Sequence, residues 1–148
     1  MKGSRRRSRE LCLQALYQWL LSPTDADSLL SEIDERAEAN PPDEAYLATL
    51  LHGTVREADA LRDRLKSFLD RKPEALSPVE HALLLMAAYE LAEQPDTPYK
   101  VVINEAIELA KRYGGTDGHK YVNGVLDRLA AELRPAEVTA RNKVKTRS

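Results

Sequence analysis

Ser77-Pro78-Val79-Glu80-His81-Ala82-Leu83-Leu84-Leu85-Met86-Ala87-Ala88-Tyr89-Glu90-Leu91-Ala92 is the stretch that decides the fold. Ser77 suits a helix N-cap, Pro78 the first helical position and Glu80 the third. That spacing predicts a capping box, in which the Ser77 and Glu80 side chains each bond the other's orphan backbone N–H. From Ala82 to Ala88 the helix is apolar almost all round. A helix with so little polar face belongs at the centre of the molecule, covered by other helices.

Working outward, nearly every other segment repeats its apolar residues with helical spacing. A first helix is expected over about Arg5 to Leu21, with Cys12, Leu13, Ala15, Leu16, Trp19 and Leu20 inward, closed by Ser22-Pro23. Asp25 to Ala39 gives a weaker helix using Leu29, Leu30 and Ile33, broken at Asn40-Pro41-Pro42. Asp43 can cap a helix with the stripe Tyr46, Leu47, Leu50 and Leu51, which Gly53 ends or bends. Another follows with Val55, Ala58, Leu61, Leu65, Phe68 and Leu69, closed by Arg71-Lys72-Pro73. After the loop Gln94 to Pro98, a helix buries Ile103, Ala106, Ile107 and Ala110, and Gly114-Gly115 suits a left-handed stop. The last helix starts near Asp117, buries Val122, Val125, Leu126, Leu129 and Leu133, and ends at Pro135. The expected fold is therefore all-α, with about seven helices. The tail 135–148 is expected to be basic and disordered.

Composition narrows the function. Hydrophobic residues make up 43% of the 148, enough for one folded domain. No apolar run approaches the roughly 18 residues of a membrane span. Leu11 to Leu21 is interrupted by Gln14, Tyr17 and Gln18, so no signal peptide is expected. The one cysteine, Cys12, excludes an intrachain disulfide and reads as a small core residue of a cytoplasmic protein. The net charge of −2 hides an asymmetry: residues 1–9 hold five basic and no acidic side chains, and residues 134–148 hold five basic and one acidic. The body between is acidic. A local anion site at the ends and a separate acidic surface for a basic partner would account for this pattern.

Two clusters are candidate sites. Lys2, Arg5, Arg6, Arg7 and Arg9 lie at the start of the first helix, where cations oppose the macrodipole. Arginine forks suit phosphate, so an RNA backbone would account for the placement. The plainer alternative is a frayed, solvated basic end. Asp117, His119, Lys120 and Tyr121 open the last helix. Lys120 can contact phosphate, Tyr121 can stack on an unpaired base, and Asp117 can accept a bond from a base edge. Alternatively, Asp117 is only an N-cap and Tyr121 a half-buried aromatic. Asn123 is expected to make a helix-packing hydrogen bond. Glu105 and Glu108, near Lys111 and Arg112, read as a solvated, salt-bridged face. His52, His81 and His119 are scattered without metal spacing, so no metal site is expected, and no motif supports catalysis or a cofactor.

Several longer matches go beyond these patterns. They are Arg5-Arg6-Arg7-Ser8-Arg9-Glu10 followed by Gln14-Ala15-Leu16-Tyr17-Gln18-Trp19, Val79-Glu80 with Ala87-Ala88-Tyr89-Glu90-Leu91, and Pro98-Tyr99-Lys100-Val101-Val102-Ile103-Asn104-Glu105-Ala106. The most specific is His119-Lys120-Tyr121-Val122-Asn123-Gly124-Val125-Leu126-Asp127. Over about residues 4–134 the chain resembles the bacterial NusB family of transcription antitermination factors.

The resemblance implies one NusB-like domain over 1–134, built as two packed helical subdomains of about 4–72 and 73–134. It implies a non-enzymatic protein that binds single-stranded boxA-type RNA together with NusE, a small ribosomal subunit protein. Other Nus factors and RNA polymerase would join the larger complex during ribosomal RNA synthesis. Lys2, Arg5, Arg6, Arg7, Arg9, Asp117, Lys120 and Tyr121 would form the RNA surface, and Tyr17 and Glu80 part of the NusE surface. Gly118 departs from the serine or similar polar residue expected there, and Tyr121 replaces the frequent phenylalanine. Two other readings stay open. A NusB-like domain also precedes some ribosomal RNA cytosine methyltransferases, but no catalytic or cofactor-binding part appears in this sequence. The other is an α-helical interaction module, a homodimer with its RNA surface masked.

Overall fold

The computed structural model describes residues 4–34, 39–115 and 117–147. Among them are eight α-helices: α1 (Arg5–Leu21), α2 (Ala26–Asp34), α3 (Glu44–Arg56), α4 (Ala58–Leu65), α5 (Pro78–Glu93), α6 (Tyr99–Tyr113), α7 (Gly118–Leu133) and α8 (Pro135–Arg147). Short 3-10 turns at Lys66–Phe68 and Pro73–Ala75 link α4 to α5.

Helix α5 is the central element. Its residues from His81 to Leu91 are buried without interruption, and it packs against α1, α3, α4, α6 and α7. One continuous apolar cluster runs from Leu11 and Leu16 through Leu50 and Leu51 to Leu83, Ile103 and Leu126. Gly53 does not end α3 as its sequence suggests. It lies within the helix where α5 crosses, and a Cβ there would fall 2.1 Å from the Tyr89 ring. Only glycine leaves room for that tyrosine.

Local geometry departs from expectation in four places. Ser77 Oγ accepts the Glu80 N–H at 3.2 Å, which is half of the capping box. The Glu80 carboxylate turns instead toward Gly118, with Oε1 3.2 Å from where a Cβ would stand, next to the positive end of α7. Asp117 precedes α7 but makes no side-chain cap bond, and its carboxylate lies 3.5 Å from Lys120 Nζ. Gly114 ends α6 in an extended conformation (φ −88°, ψ 177°) rather than a left-handed one, and its N–H bonds the Ala110 carbonyl at 2.7 Å. Helix α2 is Ala26–Asp34 among the described residues; 35–38 of the expected span lie outside them, and Ala39, where the helix is expected to end, stands in a turn.

The tail differs most. Residues Pro135–Arg147 form α8 where disorder is expected. Pro135 cannot continue α7 but can open a new helix. The Arg134 guanidinium then donates to the carbonyls of Leu91 (2.8 Å), Gln94 (2.9 Å), Thr97 (2.9 Å) and Glu90 (3.2 Å), which closes the C-terminal end of α5. Glu137 accepts the Tyr99 N–H at 2.7 Å, capping α6 where Pro98 has no side chain to do so. The start of the tail is thus tied to two other helix ends.

Candidate functional site

The start of α1 is clamped to the start of α3. Ser4 caps α1 by accepting the Arg7 N–H at 3.0 Å, its carbonyl accepts the Asp43 N–H at 3.1 Å, and Ser8 Oγ donates to the Asp43 carbonyl at 2.7 Å. Asp43 in turn caps α3 through the Tyr46 N–H. This junction aims the arginines of α1 in different directions.

Arg9 points inward. It is 4% exposed and grips Glu90 of α5 through Nε (2.8 Å) and Nη2 (2.9 Å), and the Tyr46 hydroxyl donates to the same carboxylate. Burial works against the Arg9 charge, but the bond and charge of Glu90 outweigh it, so the guanidinium pKa is raised. Arg9 therefore holds α1 to α5 and, unlike the exposed position the sequence suggests for it, is buried.

The other three arginines reach the surface to different degrees. Arg5 is half exposed, lies 4.0 Å from Asp43 and stacks over the Tyr46 ring at 4.1 Å. Arg6 is the most exposed, at 78% of its side chain, and touches Glu105 of α6 at 3.2 Å. Arg7 bonds the Asn40 carbonyl (3.1 Å) and Glu10. Each arginine of the α1 run thus has a carboxylate partner, which offsets the unfavourable dipole placement. Glu105 is no solvated face residue as the sequence suggests: its side chain is 15% exposed, between Arg6 and Arg9. Lys2 lies outside the described residues.

The second cluster opens α7. Lys120 is exposed. Tyr121 is half-buried, with its hydroxyl accepting the Asp70 N–H at 3.3 Å and the Arg71 guanidinium 5.0 Å from its ring. A stacking base would therefore meet a ring flanked by arginine, whose plane is itself a stacking surface. Asn123 is half-buried within α7 and its side chain makes no hydrogen bond among the described residues, contrary to the packing role its sequence suggests.

An apolar groove lies between the two clusters. Leu13, Gln14, Tyr17, Gln18, Leu21, Val79 and Tyr113 line a depression of about 620 Å³. Tyr17, Leu21 and Tyr113 are exposed hydrophobics. One wall, Tyr113, follows Arg112 in the chain and donates to Glu10 at 2.7 Å, on the α1 side. The other wall, Val79, precedes Glu80, which faces Gly118 on the α7 side. Tyr17 thus lines the groove together with Val79, 62 positions away in the chain, while the half-buried Glu80 next to Val79 turns its carboxylate toward Gly118.

A family model described as the NusB family matches residues 6–131. The transcription antitermination protein NusB of Cupriavidus pinatubonensis is 54% identical over 140 residues, covering 95% of this chain and 84% of that protein. The chain belongs to the NusB family. A crystal form of NusB from T. maritima superposes with a TM-score of 0.81 at 32% identity, over 94% of this chain and 99% of that one. A chain of a crystal structure of antitermination factors NusB and NusE in complex with double-stranded RNA gives a TM-score of 0.79 at 24% identity, over 86% and 96%, and so supports the fold.

In this NusB-family chain the structure adds residues that the sequence pattern does not single out as a site. Lys111 and Arg112, at the end of α6, share a cleft of about 510 Å³ with Arg6, Arg7 and Glu10. Only helix packing could bring positions 6–10 and 111–112 together. Arg71 joins the α7 cluster in the same way. The histidines stay apart: His52 lies 3.2 Å from Asp27, and His81 accepts a bond from Arg62 at 3.0 Å. Burial first, and then the Arg62 charge, hold the His81 pKa below its ordinary value. Among the described residues, no group of three or more His, Cys, Asp or Glu side chains could hold a metal ion. No helix among them is long and apolar enough to cross a membrane.

Proposed function

We propose that this NusB-family chain is a non-enzymatic transcription antitermination factor of the cytoplasm, which binds boxA-type single-stranded RNA together with NusE. Other Nus factors and RNA polymerase are its partners in the larger complex. The observation that carries this reading is the placement of one exposed apolar groove between two exposed basic clusters. A protein seated on Tyr17 and Val79 leaves Arg5, Arg6 and Arg7 on one side and Lys120 and Tyr121 on the other for an RNA strand. The acidic body suits a basic ribosomal protein.

The test is fluorescence anisotropy of a short boxA-like single-stranded RNA, with and without NusE, at two salt concentrations. Weak binding alone that tightens strongly with NusE and weakens steeply with salt is the expected result. No RNA binding in either condition, with a stable dimer in solution, would instead favour a homodimeric interaction module whose RNA surface is masked by a second copy.

Glu80→Lys is expected to weaken NusE binding roughly tenfold or more by reversing a charge at the groove edge. The Ser77 cap survives, because it takes the backbone N–H of residue 80, which lysine also supplies. A lysine next to the start of α7 costs about 0.3–1 kcal/mol. Thermal melts of the same variant check the assignment: if unfolding accounts for all the lost binding, Glu80 is not an interface residue.

A further inference from the structure

The cleft between the start of α1 and the end of α6 has one under-compensated point. Arg6 and Arg9 face two carboxylates, Glu105 and Glu90. Arg7 and Arg112 face only one between them: both bond Glu10, through Oε1 and Oε2 respectively. Lys111 is matched by Glu108 at 3.8 Å. Among the described residues, the cleft's excess positive charge therefore sits where two guanidinium groups share Glu10.

That point is also pre-organised. The Glu10 side chain is 10% exposed and accepts a third bond from the Tyr113 hydroxyl at 2.7 Å, while Gln14 donates to that hydroxyl at 3.2 Å. Burial alone would raise the Glu10 pKa, but the bonds from Tyr113, Arg7 and Arg112 bring it below its ordinary value, so Glu10 stays ionised and keeps both arginines in place. Arg112 spends only Nη1 on Glu10, and its side chain is 65% exposed. Its Nε and Nη2 carry no hydrogen bond to an acceptor among the described residues, which leaves them available to an anion. Two fixed guanidinium groups around one carboxylate offer the geometry and the charge for a single further anion.

We propose that Arg112 and Arg7 form a phosphate fork, and that one phosphodiester of the bound RNA lodges there. This rests on the RNA-binding reading and adds a contact at the end of α6. The fork carries the RNA path from the α1 arginines past Tyr113 toward Lys120 at the start of α7. A phosphate contact reads no base, so its contribution is the same for every sequence.

The experiment uses the full chain with NusE and two labelled single-stranded RNAs, one boxA-like and one scrambled, titrated across a salt series. Arg112→Gln is compared with Arg112→Lys and Arg6→Gln. Arg112→Gln is expected to weaken both RNAs by about threefold to tenfold and to reduce the slope of log affinity against log salt by about 0.7, one phosphate's share on a single strand. Arg112→Lys keeps the slope but loses part of the affinity, because an ammonium cannot make the fork. Arg112 lies at an exposed helix end, and thermal melts of its variants check that they fold. Wild-type affinity and slope in Arg112→Gln, alongside weakened binding in Arg6→Gln, overturn the fork and leave the RNA reading standing. Loss of NusE binding with RNA affinity unchanged also overturns it, giving the cleft to the protein partner. Absence of RNA binding in the wild-type chain overturns both.

Discussion

Glu90→Ala is expected to lower the unfolding free energy by about 3–5 kcal/mol, a large part of the roughly 5–15 kcal/mol that holds a small domain together. Glu90 is 1% exposed and takes two bonds from Arg9 and one from Tyr46. Removing it leaves a guanidinium that water cannot reach, with Glu105 3.7 Å away as its remaining carboxylate. The three groups come from α1, α3 and α5, so the loss also loosens the junction that aims Arg6 and Arg7. Urea unfolding at neutral pH measures it. A loss under about 1 kcal/mol would mean that Arg9 swings out to solvent at little cost. Replacing both partners, as Arg9→Met with Glu90→Leu, is expected to recover much of the stability, because the penalty comes from the unpaired charge more than from the lost attraction.

The double variant Arg6→Gln and Lys120→Gln is expected to lower RNA affinity by at least tenfold near 0.1 M salt and to flatten the salt dependence by about 1.4 in slope, two phosphates' worth. These two side chains are 78% and 74% exposed, one at each basic cluster, so their removal leaves the core untouched. The loss should be the same for boxA-like and scrambled RNA, whereas Tyr121→Ala should cost about 1–3 kcal/mol through stacking and leave the slope alone. An unchanged slope in the double variant would remove these clusters from the RNA surface. Arg7 is kept out of this test because its bonds to Glu10 and Asn40 also brace the fold.

Local sequence carried the helices because each signal needs only a few neighbouring residues. Ser77-Pro78 marks the start of α5 by cap chemistry, and the run Ala82 to Ala88 marks its burial by having no polar face to show to water. The stripes Leu47, Leu50, Leu51 and Val122, Val125, Leu126 are buried as their spacing predicts. The expectations that failed depended on what stood opposite. Asp117 reads as a cap, but its carboxylate lies beside Lys120. Gly53 reads as a break, but Tyr89 of α5 claims its space. The tail reads as disordered, but Arg134 and Glu137 find unsatisfied backbone groups on α5 and α6.

The candidate site divides along the same line. The basic run at Arg5 to Arg9 and the cluster at Asp117 to Tyr121 are visible because charge and residue type are written in the sequence, and the longer matches identify the family. The sequence does not say which arginine turns inward, since all four of Arg5, Arg6, Arg7 and Arg9 share one helix. Nor can it place Tyr17 and Val79 in one groove, or Arg112 beside Glu10. Those facts follow from how α5 and α6 pack against α1, because a side chain's partner is set by the helix that faces it. The sequence by itself determined the helices, the buried stripes and the family. The tertiary structure alone decided which charges are neutralised inside the protein and which are left at the surface for an anion.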